Sequence, residues 1–185
     1  MVPDPRVRIV QLIAPALAAL AAGDLSSADL HSPVPLTPWL ASTENGWTWG
    51  YRARQVLDHP ADLPWVTGVV WDLDAGRAVG RAGFHGAPHD GLVEVGYAID
   101  PAHRRRGYAR AALELMITRA RQDPAVRTLR ASVSPENTAS LALVAQYPFV
   151  EVGEQWDDED GLEIRYEMAV ASVCFRDWFP VTPVP

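Results

Sequence analysis

The chain has 185 residues, 48% hydrophobic and 21% charged, which supplies enough apolar side chain for one domain with a real core. Its formal net charge of −7 argues against nucleic-acid binding as a main function. The longest apolar run, 9–22, is broken by Gln11 and Pro15, too short to span a bilayer and without the cleavage pattern of a signal segment.

In chain order, residues 5–14 have strand character, and 15–22 form an alanine- and leucine-rich first helix. Three prolines make 31–38 a loop, and 39–59 is partly helical, with Trp47, Trp49 and Tyr51 crowded together. That aromatic cluster reads first as core and second as the lining of a cleft. Residues 65–71 and 78–84 form a hairpin across an Ala-Gly turn, a polar loop carries His85 and His89, and 93–99 is a strand. The helix 107–122 shows an apolar stripe of Ala109, Ala112, Leu113, Met116, Ile117 and Ala120, and Asp123-Pro124 ends it. Alternation over Leu129, Ala131 and Val133 gives a strand, 139–146 a short helix, and 149–155 with 162–170 a closing hairpin across an acidic tip. This order implies an α/β (α+β) domain with a mixed, mostly antiparallel sheet and helices on both faces. One domain spans 1–185, its core about 60–170. The apolar tail 172–185, with Phe175, Trp178 and Phe179, packs on the domain or makes a subunit contact, a homodimer being one outcome.

The most informative stretch is 93–110, an apolar strand ending in Asp-Pro, then an arginine-rich turn with Arg104, Arg105, Arg106 and Gly107, then a helix start. A helix N-terminus presents unpaired N–H groups and the positive end of the macrodipole, which suits a phosphate or pyrophosphate. Glycine permits close backbone approach, and the arginines add positive charge. The chain has no lysine, hence no Walker-type loop, and no Gly-x-Gly-x-x-Gly follows a strand. The spacing of His85 and His89 would hold a metal only on a helix, which Gly86 and Pro88 argue against, and the tip Asp157-Asp158-Glu159-Asp160 lacks regular ligand spacing, so no metal is expected.

Arg104, Gly107 and Ala109 match the Gln/Arg-x-x-Gly-x-Gly/Ala pattern, and the loop resembles the acyl-CoA-binding loop of the GNAT superfamily of N-acyltransferases. Asn137 to Ser140 resembles that family's Asn-x-x-Ser segment, and Gln146-Tyr147-Pro148-Phe149 its Leu-Gly-Phe ending, with Pro148 replacing the glycine. Glu94-Val95-Gly96-Tyr97 points to the ribosomal-protein N-terminal acetyltransferase-like (RimJ/RimL-like) branch. The resemblance covers about residues 60–170 and implies two parallel central strands that splay apart.

It also implies acetyl transfer from acetyl-CoA to a primary amine by direct attack in a ternary complex, in the cytoplasm. One cysteine, Cys174, which cannot close an internal disulfide, fits that reducing compartment. The acceptor would be a small-molecule amine or a protein N-terminus, with no nucleic-acid or membrane partner. The cofactor would be held by Arg104, Arg105, Arg106, Gly107, Tyr108, Ala109, Arg110 and Asn137, with an oxyanion donor at the backbone of Ala98 or Ile99. Asn137 is equally a helix cap. Glu94 is the candidate base, in an apolar cleft that would raise its pKa. Val144 stands where many members carry an acid tyrosine, leaving Ser140 or Tyr147 as substitutes or a thiolate that departs without a protein acid, with core packing favoured for Tyr147. The alternative is a non-catalytic acyl-CoA-binding module.

Overall fold

The computed structural model describes residues 4–157 and 161–170. Cys174, the apolar tail and residues 158–160 of the acidic tip lie outside them. Seven strands form one sheet in the order β1-β2-β3-β4-β5-β7-β6. They are β1 (Val7–Val10), β2 (Gly68–Asp72), β3 (Arg77–Phe84), β4 (Leu92–Ile99), β5 (Thr128–Val133), β6 (Val150–Asp157) and β7 (Gly161–Ala169). Only β4 and β5 run parallel, as expected for two strands joined by a helical crossover.

Helices cover both faces. On one side lie α1 (Ala14–Ala21), α2 (Leu25–Leu30) and α3 (Thr43–Asp58), burying Leu12, Leu17, Leu20, Leu40 and Trp49 against Val66 and Val69. On the other lie α4 (Tyr108–Gln122) and α5 (Thr138–Val144). There the α4 stripe of Ala112, Leu113, Met116 and Ala120 packs on Val93, Val95 and Leu129, with Leu143 and Val144 completing the core. The two layers explain why odd residues of β4 are apolar while Glu94 and Gly96 occupy the other face.

The expected elements all form. The helix α2 was not anticipated: six residues are too few to show a period, and its signal is the cap, Asp24 accepting from the Ser27 N–H at 3.0 Å. The aromatic cluster divides. Trp49 is fully buried and donates to the Leu40 carbonyl at 2.7 Å, whereas Trp47 and Tyr51 stack at 5.3 Å on the exposed side of α3. The core reading therefore holds for one of the three.

Candidate active site

Between Asp100 and α4 the chain makes a compact turn. Asp100 accepts from the Ala102 N–H at 2.8 Å, and Arg104 Nε donates to the Ile99 carbonyl at 3.1 Å. Arg105 and Gly107 both take left-handed conformations, φ 62° and 85°. Gly107 is the N-cap of α4, and no side chain caps the helix. Asp24 caps α2 and Asn137 caps α5, while α1 and α3 also lack a side-chain cap. The first-turn N–H groups of the long helix α4 are thus left for an external acceptor, beside the exposed side chains of Arg104, Arg105 and Arg106. This donor set fits a pyrophosphate.

Three details differ from expectation. A Cβ at Gly107 would meet Pro5 Cδ at 3.1 Å, so this glycine answers to its left-handed φ and to the approach of the N-terminal residues, and its missing side chain does not mark the ligand face. The Tyr108 side chain is buried, its hydroxyl donating to Asp72 Oδ2 at 2.5 Å, so only its backbone is available to a ligand. Arg110 turns away to Gln146, just beyond α5, at 2.5 Å. Ala109 is half-buried in the same turn.

Beside this turn the sheet opens. Leu92–Val95 of β4 pair with Thr128–Ala131 of β5, and the pairing stops there although both strands continue. The open side can be phased. His85 N–H donates to the Glu94 carbonyl at 2.8 Å and Asp100 N–H to the Val79 carbonyl at 3.0 Å, with an unbroken β3–β4 register between them. Alternation in an antiparallel ladder then turns the backbone groups of Gly96 and Ala98 to β3, and those of Tyr97 and Ile99 to the gap. The Ala98 N–H is therefore committed to β3, and Tyr97 joins Ile99 as the donor facing the opening.

A polar cluster occupies the α3 side of this gap. Glu94 Oε1 accepts from Ser132 Oγ at 2.6 Å and lies 3.8 Å from His85 Nδ1. Gln155 Nε2 donates to Ser132 Oγ at 3.2 Å and to Glu163 Oε2 at 2.8 Å. The expected apolar surrounding of Glu94 is thus replaced by hydroxyl, imidazole and amide. The His85 carbonyl accepts from Arg52 at 2.9 Å and from Gln55 at 2.8 Å, which pins the loop to α3. Burial lowers the Arg52 guanidinium to about 10, which leaves it cationic at neutral pH. Crowding by neighbouring atoms holds the His85 imidazole below its ordinary value, against the pull of Glu94 and Asp157 and aided by Arg52 and Arg81. The ring keeps 48% of its surface in contact with solvent, which moderates that shift. Tyr51, 5.0 Å from the Arg52 guanidinium, and its stacked neighbour Trp47 form the rim.

Ser140 lies across the sheet from Glu94, on α5. Its N–H is capped by Asn137 Oδ1 at 3.1 Å, so the cap reading of Asn137 is realised. The neighbouring Tyr97 hydroxyl is buried without a partner in hydrogen-bond geometry. Burial raises its phenol, which the Ser140 hydroxyl partly offsets. Tyr147 instead donates to Glu114 of α4 at 2.9 Å, and burial and that carboxylate push it up to about 12, so it ties the turn after α5 to α4. Val144 is buried. Among the described residues no group of three or more histidine, cysteine, aspartate and glutamate side chains is arranged to hold a metal, and no helix is long and apolar enough to cross a membrane.

The model of the acetyltransferase (GNAT) domain family matches residues 6–150. The chain belongs to the GNAT acetyltransferase family. Its match to the uncharacterised N-acetyltransferase YjdG of Bacillus subtilis is 32% identical over 83 residues, 44% of this chain and 49% of that protein. The chain spans about half the length of this curated relative. Among solved structures, RimL, a ribosomal L7/L12 α-N-protein acetyltransferase solved with coenzyme A, is 15% identical with TM-score 0.63, covering 93% of this chain and 98% of RimL. The ribosomal-protein-S5-alanine acetyltransferase of Vibrio fischeri gives 17% and 0.59, covering 97% and 98%. A spermidine N-acetyltransferase SpeG variant of Vibrio cholerae gives 15% and 0.60, covering 88% and 93%. These likenesses carry the fold.

Within this GNAT domain the structure brings together the Arg104–Gly107 turn, the Tyr97 and Ile99 amides, Glu94 and a polar set that sequence reasoning missed. By sequence His85 is a substrate-side loop residue or an ordinary surface histidine, and the structure sets it beside Glu94, whereas Ser132 is only one polar position of an alternating strand. The available signal was weak: Ser132 sits two residues after Arg130, the β5 partner of Glu94.

Proposed function

We propose that this chain is an acetyl-CoA-dependent N-acetyltransferase that passes an acetyl group directly to a primary amine in a ternary complex. The observation that carries the reading is the gap between β4 and β5, flanked on one side by the uncapped N-terminus of α4 and on the other by Glu94. A thioester reaching from the α4 turn into this gap would meet the Tyr97 and Ile99 amides, which would stabilise charge developing on its oxygen. The turn supplies backbone N–H groups and the charges of Arg104, Arg105 and Arg106 to the pyrophosphate. Asn137, spent on its cap, contributes through the start of α5. Glu94 governs removal of the amine proton. Ser140, beside the unpartnered Tyr97 hydroxyl, is the group nearest to an acid role at the departing sulfur.

The acceptor is a protein N-terminus or a small-molecule amine, in a cytoplasmic setting that suits a chain with one cysteine. RimL is named for the α-nitrogen of a protein, the S5 enzyme for an alanine of a ribosomal protein and SpeG for spermidine, so both protein and small-molecule acceptors are represented. An α-amine, with pKa near ~8, is free at neutral pH far more often than a lysine side chain near ~10.4. N-terminal or weakly basic acceptors are therefore favoured. Thiol release from acetyl-CoA against a panel of peptides and small amines tests the reading. Glu94→Gln should lower turnover, with coenzyme A binding intact. Binding without turnover on any amine would instead establish a non-catalytic acyl-CoA-binding module.

A further inference from the structure

The β3–β4 loop places a histidine at the apex of the splay. His85 is the first residue beyond β3, and its backbone is fixed at three points, the N–H to the Glu94 carbonyl and the carbonyl to Arg52 and Gln55. Gln55 is itself held by Asp62 at 2.7 Å. The ring then lies across β4 with Nδ1 toward Glu94 Oε1, 3.8 Å away. Its other nitrogen, Nε2, stands over Gly96, where a Cβ would come within 3.0 Å of it. Gly96 is the first β4 residue beyond the last pair with β5, Val95 with Ala131. The nitrogen therefore stands at the mouth of the gap, in space that any other residue at 96 would crowd.

We propose that His85 Nε2 is the atom that accepts the proton of the attacking amine, and that Glu94, behind Nδ1, orients the ring and balances the imidazolium. The inference rests on the acetyltransferase reading and assigns its base. Glu94 Oε1, the oxygen that faces Nδ1, also accepts from the Ser132 hydroxyl, which in turn accepts from Gln155, so the carboxylate is held in place behind the ring. In the reaction the amine nitrogen attacks the thioester carbonyl, the C–N bond forms, and the excess proton on nitrogen passes to Nε2. The C–S bond breaks, sulfur leaves as thiolate and is protonated, and His85 returns its proton to water. A base must be neutral to act. Desolvation, Arg52 from α3 and Arg81 from β3 favour the neutral ring, while Glu94 from β4 and Asp157 from β6 favour the charged one, and the balance lies below the ordinary value.

The test compares kcat of wild type, His85→Asn and Glu94→Gln from acid to alkaline pH, with coenzyme A affinity measured on each protein by calorimetry. Dividing the wild-type rate by the His85→Asn rate at each pH cancels the titration of the acceptor. The ratio should climb from near 1 in acid, through a midpoint below the ordinary histidine value, to a plateau of about 10²–10⁴. Coenzyme A affinity and the acetyl-CoA KM should be unchanged. Glu94→Gln should move the corresponding midpoint lower, since it removes the charge that favours the imidazolium. A ratio independent of pH, or His85→Asn within a fewfold of wild type while Glu94→Gln is inactive, overturns the assignment to His85 and leaves the enzyme reading standing. Wild-type protein that turns over no amine removes both.

Discussion

Tyr108 and Asp72 form a contact that no local pattern announces. Asp72 ends β2, and its buried carboxylate accepts from the Tyr108 hydroxyl and from the N–H groups of Asp74 and Ala75 at 2.8 and 2.9 Å. Burial raises its pKa, but these donors and the nearby Arg77 outweigh that and hold it below the usual carboxylate value. Such a depressed group contributes stability above its unfolded value near ~3.9, and the contribution is lost as pH falls through the lower folded value. Tyr108→Phe should therefore destabilise the protein by about 1.5–3 kcal/mol at neutral pH, the scale of a hydrogen bond to a charged group, and by less in strong acid. Urea unfolding at the two pH values checks this. An equal loss at both would mean that the phenol matters through packing and not through the Asp72 charge.

At the scale of elements, α4 and α5 solve the same problem in opposite ways. Asn137 closes the N-terminus of the seven-residue α5, and Asn137→Ala should cost about 1 kcal/mol in thermal or denaturant unfolding. If the side chain also reaches the cofactor, coenzyme A affinity will fall by more than stability explains. The N-terminus of α4 stays open, and its turn depends on a left-handed Gly107. Gly107→Val should destabilise by at least about 1–2 kcal/mol and weaken coenzyme A binding by tenfold or more, because the strained turn no longer presents its amides. Gly107→Asn, which tolerates the left-handed region, should retain far more affinity in calorimetry. Equal loss in both variants would show that bulk at 107 blocks the ligand directly. If arginine charges and amides hold the pyrophosphate as proposed, affinity will also fall with added salt.

Across the whole molecule, two apolar layers clamp a sheet whose one parallel joint comes apart, and the proposed chemistry gathers on either side of that joint. Direct transfer in such a gap needs no acyl-enzyme. Cys174→Ala should keep most of the activity, and mass spectrometry during turnover should find no acetyl group on Cys174. Appearance of acetylated Cys174 at the rate of turnover would replace direct transfer by a two-step route.

The α4 turn, the apolar stripe behind it, the alternating strands and the position of Glu94 were legible in the amino-acid order, because a helix period, a cap and a glycine turn are set by neighbours within a few residues. The helix α2 was not legible, because six residues show no period and one capping aspartate is too weak a signal by itself. What only the tertiary structure decided is how separate segments face one another. Ser132 meets Glu94 across 38 positions of chain, and Tyr108 meets Asp72 across 36. The phase of the β3–β4 ladder turns Tyr97 and Ile99, and not Ala98, toward the gap. His85 gains its direction from α3, through Arg52 and Gln55, and its room from the missing side chain of Gly96. A shift of one residue in strand pairing would turn each of these groups to the opposite face while leaving every local pattern intact. That is why the glycine turn could be read from the sequence, and the polar cluster around Glu94 could not.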